Sequence, residues 1–411
     1  MREIKKSHVL DNVCYDIRGP VLKQAAFLEE EGYKIIRLNI GNTTPFGFET
    51  PDEIVHDVIL NIRKAQGYAD SRGIFPARKA VVQEMQEKGV HGVTVDDVYM
   101  GNGVSELIKI AMEGLLNNGD EVLLPMPDYP LWTASINLAR GKAVHYLCDE
   151  ASAWQPDLED IRSKISSRTK ALVIINPNNP TGAVYSKQIV QQLIDIAEEQ
   201  ELVLFCDEIY DKILYDGAVY YPPAAMTDRI PVITFGGISK TYRAPGFRCG
   251  WMVISGNRAV AADYVEGLEI LTSMRLCANV PAQFAVQTAL GGYQSIKDLT
   301  AKEGRLYRQR EMAWSMLNAI PGVSCVKPGG AFYMFPKLDK KRFKIKDDMS
   351  LILGLLKEER VLVVQGTGFS WHDTDHLRLV FLPPEEELQA AINGLAAYLQ
   401  RREENQRPCF P

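Results

Sequence analysis

The sequence predicts an α/β fold, a large domain with a mainly parallel sheet between helices plus a smaller discontinuous α+β domain. Three observations carry this expectation. Short apolar runs at 121–125, 143–147, 171–175, 202–206, 232–235 and 250–254 are nearly continuous in hydrophobicity, as strands covered on both faces are. Amphipathic stretches, notably 104–116 and 187–200, lie between several of these runs. Strand–helix–strand alternation builds largely parallel sheets, whose ligands collect at loops leaving the carboxyl ends of strands. Third, the pattern changes after about residue 256.

From there, long helical stretches at 258–276, 280–290 and 299–319 precede short strands near 324–326, 332–335, 361–365 and 377–380. A final amphipathic helix covers 385–402. The N-terminal segment holds a helix over 20–31, closed by Gly32, and an apolar strand at 35–40 with no sheet of its own to join. The expected division is therefore a large domain over 50–297 and a small one made from 1–49 and 298–411. There is no 20–50-residue repeat of the kind that marks a solenoid.

The 411 residues are 46% hydrophobic and 24% charged, which excludes a disordered, collagen-like or coiled-coil chain. Lys plus Arg is 46 and Asp plus Glu is 52, a net charge of −6 without a basic block. That is not the electrostatic footprint of a nucleic-acid or anionic-membrane binder. No apolar stretch approaches the roughly 18 residues of a membrane span, and the N-terminus lacks the apolar core of a signal peptide. Seven cysteines, at 14, 148, 206, 249, 277, 325 and 409, never form CxxC, and six histidines are dispersed. The expectation is a cytoplasmic chain with reduced thiols and no metal site.

Chemistry-bearing residues fall at the ends of the predicted strands. Lys240, in FGGISKTYRAPGFRCGW, ends an apolar strand in a Gly-rich turn. An unpaired ammonium is costly to bury, so taken alone it reads first as an exposed loop lysine, and its neighbours change that reading. Asp207, in CDEIYD, follows LVLFC; it either caps the next turn or holds a proton on a heteroaromatic nitrogen. NPNNPTG (176–182) follows ALVII; its prolines set a non-helical turn and its asparagines offer amide donors and acceptors. GNGVSELI (101–108) is a Gly-rich turn opening a helix; free N–H groups there suit an anion, and the turn reads equally as a cap on the preceding strand. It is neither a P-loop nor the GxGxxG dinucleotide fingerprint, since its sixth position is Leu107. Arg248 offers a phosphate fork or a surface ion pair. One ligand accounts for these pieces: pyridoxal 5′-phosphate, with a ring nitrogen, a phosphate and an aldehyde for a Schiff-base lysine.

DYP, NPNNPTG, DEIYD and SKTYRAPGFRCGW, in this order and spacing, resemble the fold-type I, class I/II aminotransferases over almost the whole chain. YDIRGPVLKQAAFLEEEG, LNIGN, TPFGF and SMRLCANVPAQ look particularly like the bacterial glutamate–pyruvate (alanine) aminotransferases. The resemblance implies pyridoxal phosphate in a covalent aldimine on Lys240, Asp207 at the ring nitrogen, and Asn179 and Tyr210 at its phenolic oxygen. It places Tyr129 on the ring face and the Val104 and Ser105 amides, Ser239 and Arg248 at the phosphate. Tyr68, in GYADSRG, would reach the phosphate of a neighbouring subunit, which makes the unit a homodimer with shared sites. Gly41, Asn179 and Arg378 match substrate-carboxylate positions. Tyr15 and Arg18, in CYDIRGP, are expected partners for the side-chain carboxylate of glutamate, with a surface ion pair as Arg18's alternative.

Two departures stand out. Gly237 occupies a position where many relatives carry serine, which implies one fewer hydroxyl at the phosphate. NTTPF after Gly41 replaces a turn with an earlier proline. Alternatives on the same scaffold are a transaminase for aspartate, aromatic or branched-chain amino acids, or a C–S lyase, which needs the same Lys240 and Asp207. A regulatory domain of the aminotransferase-like type would need an additional DNA-binding unit. Only 66 residues precede GYADSRG, and YDIRGP and LNIGN already lie among them.

Overall fold

The computed structural model describes residues 3–13 and 19–404. Strand β1 (Ile36–Arg37) precedes the main sheet, which is built from β2 (Val98–Gly101), β3 (Glu121–Met126), β4 (Lys142–Asp149) and β5 (Gln155–Pro156), then β6 (Thr169–Ile175), β7 (Val203–Asp207), β8 (Pro231–Gly237) and β9 (Gly250–Gly256). Their spatial order is β2-β9-β8-β7-β6-β3-β4-β5. The centre, β4-β3-β6-β7-β8, is parallel, while β9 runs antiparallel to both β8 and β2, and β5 antiparallel to β4. Two antiparallel steps restore the direction, so β2 points the same way as β8. The carboxyl ends of β2, β3, β6, β7 and β8 therefore share one edge with the amino end of β9. GNGVSELI, DYP, NPNNPTG, DEIYD, SKTYR and Arg248 all flank that edge.

Alternation along the strands explains why the sheet is covered on both sides. Leu172 and Ile174 of β6 pack into one core with Val232 and Val253, whereas Val173 and Ile175 pack into another with Phe205 and Phe235. Helices Phe75–Glu87 and Lys187–Glu199 close the first face; Val104–Leu115 and Ala262–Met274 close the second.

A third core joins the chain's two ends. Val21, Ala25, Leu28 and Leu38 pack with Leu306, Ala313, Leu351 and Leu395. The strands after the main sheet are β10 (Val323–Ser324), β11 (Tyr333–Met334), β12 (Lys337–Leu338), β13 (Val361–Leu362), β14 (Val364–Gln365) and β15 (Leu377–Val380). β1 pairs in parallel with β13, Ile36 opposite Val361, so the early strand finds its partner more than 300 residues later. The discontinuous second region is thus a packed unit.

Several expected elements differ in extent. The strand expected over 35–40 is paired only at 36–37, and the one over 361–365 splits at Val363, because β13 pairs with β1 and β14 with β15. The helix expected over 299–319 is two helices, Ile296–Thr300 and Arg305–Ala319, separated where a side chain on Gly304 would overlap the Asp298 and Leu299 carbonyls. The stretch 280–290 likewise divides into Val280–Gln283 and Ala285–Gly291. No helix among the described residues is long and apolar enough to cross a membrane.

Candidate active site

One cavity of about 180 Å³ lies at the shared strand edge and is walled by residues from both regions. Gly41, Val104, Ser105, Tyr129 and Asn179 line it, as do Asp207, Tyr210, Ser239, Lys240, Arg248 and Arg378. A roomier hollow of about 480 Å³ between Met316, Phe343 and Leu399 contains none of these residues. Tyr68 stands away from the cavity on its own chain and is 82% exposed. Tyr15 and Arg18 lie outside the described residues.

Lys240 sits just beyond β8 with its Nζ donating to the Gly41 carbonyl at 2.8 Å. Burial pushes its pKa from 10.5 down to about 8, and the positive charges of Arg378 and Arg248 add to this, against Asp207. Half of the amine is therefore neutral near pH 8, as a nucleophile or proton acceptor requires.

Asp207 closes β7 and is buried; burial pushes its carboxyl from 3.8 up to about 6. The Trp132 indole, donating to Oδ2 at 3.1 Å, and the Ile209 amide, donating to Oδ1 at 3.4 Å, oppose the rise only in part. A buried carboxylate raised in this way favours a cationic partner, and a protonated ring nitrogen is one.

The opposite pole is electropositive, with helix amides and an arginine. Helix Val104–Leu115 starts at Gly103, which has φ +80° and no side chain to cap the first amides. A Cβ on Gly103 would overlap the Arg248 guanidinium, and one on Gly250 would sit 2.8 Å from the Val104 nitrogen. Glycine at both positions lets the helix start and Arg248 close on one point. Arg248 is held there by the Pro245 carbonyl at 2.9 Å and the Asn102 carbonyl at 3.2 Å.

The NPNNPTG loop divides its asparagines by role. The Asn176 side-chain oxygen accepts from the Tyr185 amide at 3.0 Å, and that of Asn178 from the Thr181 hydroxyl at 2.9 Å. These two fold the loop. Asn179 faces the cavity, where its oxygen accepts from Arg378 at 3.3 Å. Arg378 also donates to the Asn39 carbonyl, and its guanidinium lies between the rings of Tyr333, 4.7 Å away, and Phe369, 4.6 Å away. That clamp aims a buried fork at the cavity, the geometry that binds a carboxylate.

Gly237 does not border the cavity. A Cβ there would meet the Cys249 carbonyl at 3.1 Å and both Gly250 Cα and Ile209 at 3.2 Å. The expected shortage of a phosphate-side hydroxyl thus comes with a position crowded by backbone. TPF (44–46) forms a single turn ended by Gly47 at φ +74°.

Tyr333, Phe369 and Trp132 are site residues that the sequence reading missed. Tyr333 lies in a short apolar run, where an aromatic residue reads as core; Phe369 has no motif around it. Trp132, three residues after Tyr129 in PDYPLW, had a local signal.

The donor set fits pyridoxal phosphate: a raised buried carboxylate at one pole, free amides with an arginine at the other, and a buried lysine with its pKa lowered to about 8. The family model for aminotransferase class I and II matches residues 33–395. The chain is 59% identical over 399 residues to the glutamate–pyruvate aminotransferase of Escherichia coli, covering 97% of this chain and 98% of that protein. It is 56% identical over 399 residues to the alanine aminotransferase of Mycobacterium tuberculosis, covering 97% of this chain and 93% of that one. A solved Escherichia coli aminotransferase structure, 59% identical, matches with a TM-score of 0.96 over 97% of this chain and 99% of its own.

Proposed function

Because the chain belongs to the class I and II aminotransferases, we propose that it moves an amino group between L-alanine/pyruvate and 2-oxoglutarate/L-glutamate by a ping-pong mechanism on pyridoxal phosphate. The observation that carries the amino-transfer chemistry is that Lys240, Asp207 and the clamped Arg378 all line one cavity. The choice of alanine and glutamate rests on the 59% identity to a glutamate–pyruvate aminotransferase.

Bound pyridoxal phosphate supplies an aldehyde that links covalently to amines and a ring that takes up the electron pair released at Cα. Lys240, whose Nζ reaches into the cavity, would hold that aldehyde. Its neutral amine, once free, would take the proton from Cα and return it to the carbon two atoms along, general acid–base catalysis worth typically about 10²–10⁴-fold. Asp207, ionised, keeps the ring nitrogen protonated. Asn179 and Tyr210 would donate to the phenolic oxygen, Tyr129 would cover the ring, and Val104, Ser105, Ser239 and Arg248 would hold the phosphate. Arg378 grips the α-carboxylate, which alanine and glutamate share, so one site serves both half-reactions.

Glutamate's second carboxylate needs another partner, and Arg18 with Tyr15 is our assignment. A hydrogen bond to a charged group contributes roughly 1.5–3 kcal/mol. Arg18→Ala should therefore lower kcat/KM for glutamate about 10- to 150-fold and leave alanine nearly unchanged; equal losses would remove Arg18 from this role.

We also read the active unit as a homodimer. Exposed apolar side chains adjoin Tyr68: Ile59, Leu60 and Ile62 before it, Phe75 after it, and Met274 beside Arg275, which donates to the Ser71 carbonyl at 3.3 Å. A second copy would cover them and bring its Tyr68 to this site's phosphate. Sedimentation of a fully active monomer would contradict this.

The functional test is a half-reaction screen. Holoenzyme mixed singly with each amino acid should lose its cofactor absorbance with alanine and glutamate, releasing pyruvate and 2-oxoglutarate. Pyruvate plus ammonia from a thiol-bearing amino acid would instead indicate a C–S lyase.

A further inference from the structure

Tyr333 touches three parts of the cavity at once. Its hydroxyl lies 2.6 Å from that of Tyr210, and its ring faces the Arg378 guanidinium at 4.7 Å. The Gly41 backbone passes so close that a Cβ there would overlap the Tyr333 hydroxyl, and the Gly41 carbonyl accepts from Lys240. We propose that Tyr333 is a positioning residue for amino transfer, its hydroxyl setting the hydrogen-bond direction of Tyr210 and its ring holding Arg378. This rests on the reading above, in which Tyr210 serves the phenolic oxygen and Arg378 the α-carboxylate.

Proton count decides the polarity of the tyrosine pair. Each tyrosine hydroxyl has one hydrogen to give, so in this buried pair one donates and the other accepts. With Tyr333 as donor, the Tyr210 hydrogen is left for the cavity. Hydrogen bonds in series polarise one another, which makes Tyr210 a stronger donor to a negative oxygen. The reverse polarity would turn the Tyr210 hydrogen away from the phenolic oxygen. Tyr129 and Arg378 are the other ionisable groups that act on Tyr210, and Phe332 meets its ring edge-on at 5.4 Å.

Backbone pairing ties both tasks to one ladder. Tyr333 of β11 stands opposite Val380 of β15, the strand that also carries Arg378. A guanidinium over a desolvated ring gains more than one in water, so the ring is a brace that the hydroxyl does not supply. The two contributions are separable by substitution.

The test uses holoenzyme carrying Tyr333→Phe, Tyr333→Leu or Tyr210→Phe. One readout is the pH midpoint of the bound cofactor's absorbance change, which reports the partners of the phenolic oxygen without turnover. Tyr333→Phe should raise that midpoint by about 0.4–1 pH unit while keeping KM for L-alanine within about twofold. Tyr333→Leu should show the same shift and raise KM about 3- to 30-fold; Tyr333→Met serves if the leucine variant does not fold. In a Tyr210→Phe background, Tyr333→Phe should add no further shift. If Tyr210→Phe moves the midpoint and Tyr333→Phe does not, the proposal fails and the reading of Tyr210 stands. If Tyr210→Phe leaves it unmoved, both fail. A rise in KM with Tyr333→Phe as large as with Tyr333→Leu would overturn the division between ring and hydroxyl.

Discussion

The cofactor half of the cavity and its substrate half are built in different ways. Asp207, Lys240 and Arg248 stand at the ends of three adjacent strands, β7, β8 and β9, in one hydrogen-bonded ladder. Arg378 is aimed by contacts across the chain: Asn179 at a separation of 199 residues, Asn39 at 339, and two rings from other segments. The first half is positioned by backbone register, the second by side-chain packing between two regions. A fixed cofactor end and a fixed carboxylate clamp suit a reaction whose two amino acids present the same α-carboxylate in turn.

The largest expected effect breaks the substrate half alone. Arg378→Ala removes a charge-assisted fork, with each hydrogen bond contributing roughly 1.5–3 kcal/mol. Steady-state assays should show kcat/KM falling about 10²–10⁴-fold for alanine and glutamate alike, with cofactor affinity within a few-fold of wild type. A loss confined to one amino acid would mean that Arg378 does not hold the shared carboxylate.

A second effect belongs to the cofactor half. Asp207 has its folded pKa raised to about 6 from 3.8 by burial. Its neutral form is the one that the cofactor-free fold accommodates, so that stability is complete below about pH 4 and lost as pH rises through 6. Asp207→Asn should therefore stabilise the cofactor-free protein by roughly 2–3 kcal/mol at pH 7.5 and by almost nothing at pH 4, measured by denaturant unfolding. The same change should weaken cofactor-dependent turnover. An equal gain at both pH values would show that ionisation is not the cause.

The smallest effect concerns Gly237. Serine there should cost about 1 kcal/mol of stability, because backbone atoms surround the new Cβ, and should not tighten cofactor binding. Tighter binding would put that hydroxyl at the phosphate after all.

The same contrast explains what was legible in the sequence. Lys240, Asp207, Asn179 and the Val104–Ser105 amides each sit in a local motif directly after an apolar run, so strand order alone brings them together. Tyr333 and Phe369 have no such signature; their meaning comes from a guanidinium that only folding places between them. The pairing of Ile36 with Val361 was visible only as a strand lacking a neighbour. The break at Val363 depends on tertiary strand pairing and the one at Gly304 on a tight local backbone turn, neither of which hydrophobic period records. Helices Asp52–Asn61 and Asp348–Glu359 were missed as well.

The central claim is that the lysine ending β8 carries the cofactor in a site completed by both regions. Borohydride reduction of the loaded enzyme, followed by peptide mass spectrometry, tests it most directly. The pyridoxyl mass should appear on Lys240 alone and vanish in Lys240→Ala, whose turnover should drop by at least about 10²–10⁴-fold. A label on any other lysine, or turnover surviving in Lys240→Ala, would contradict the account.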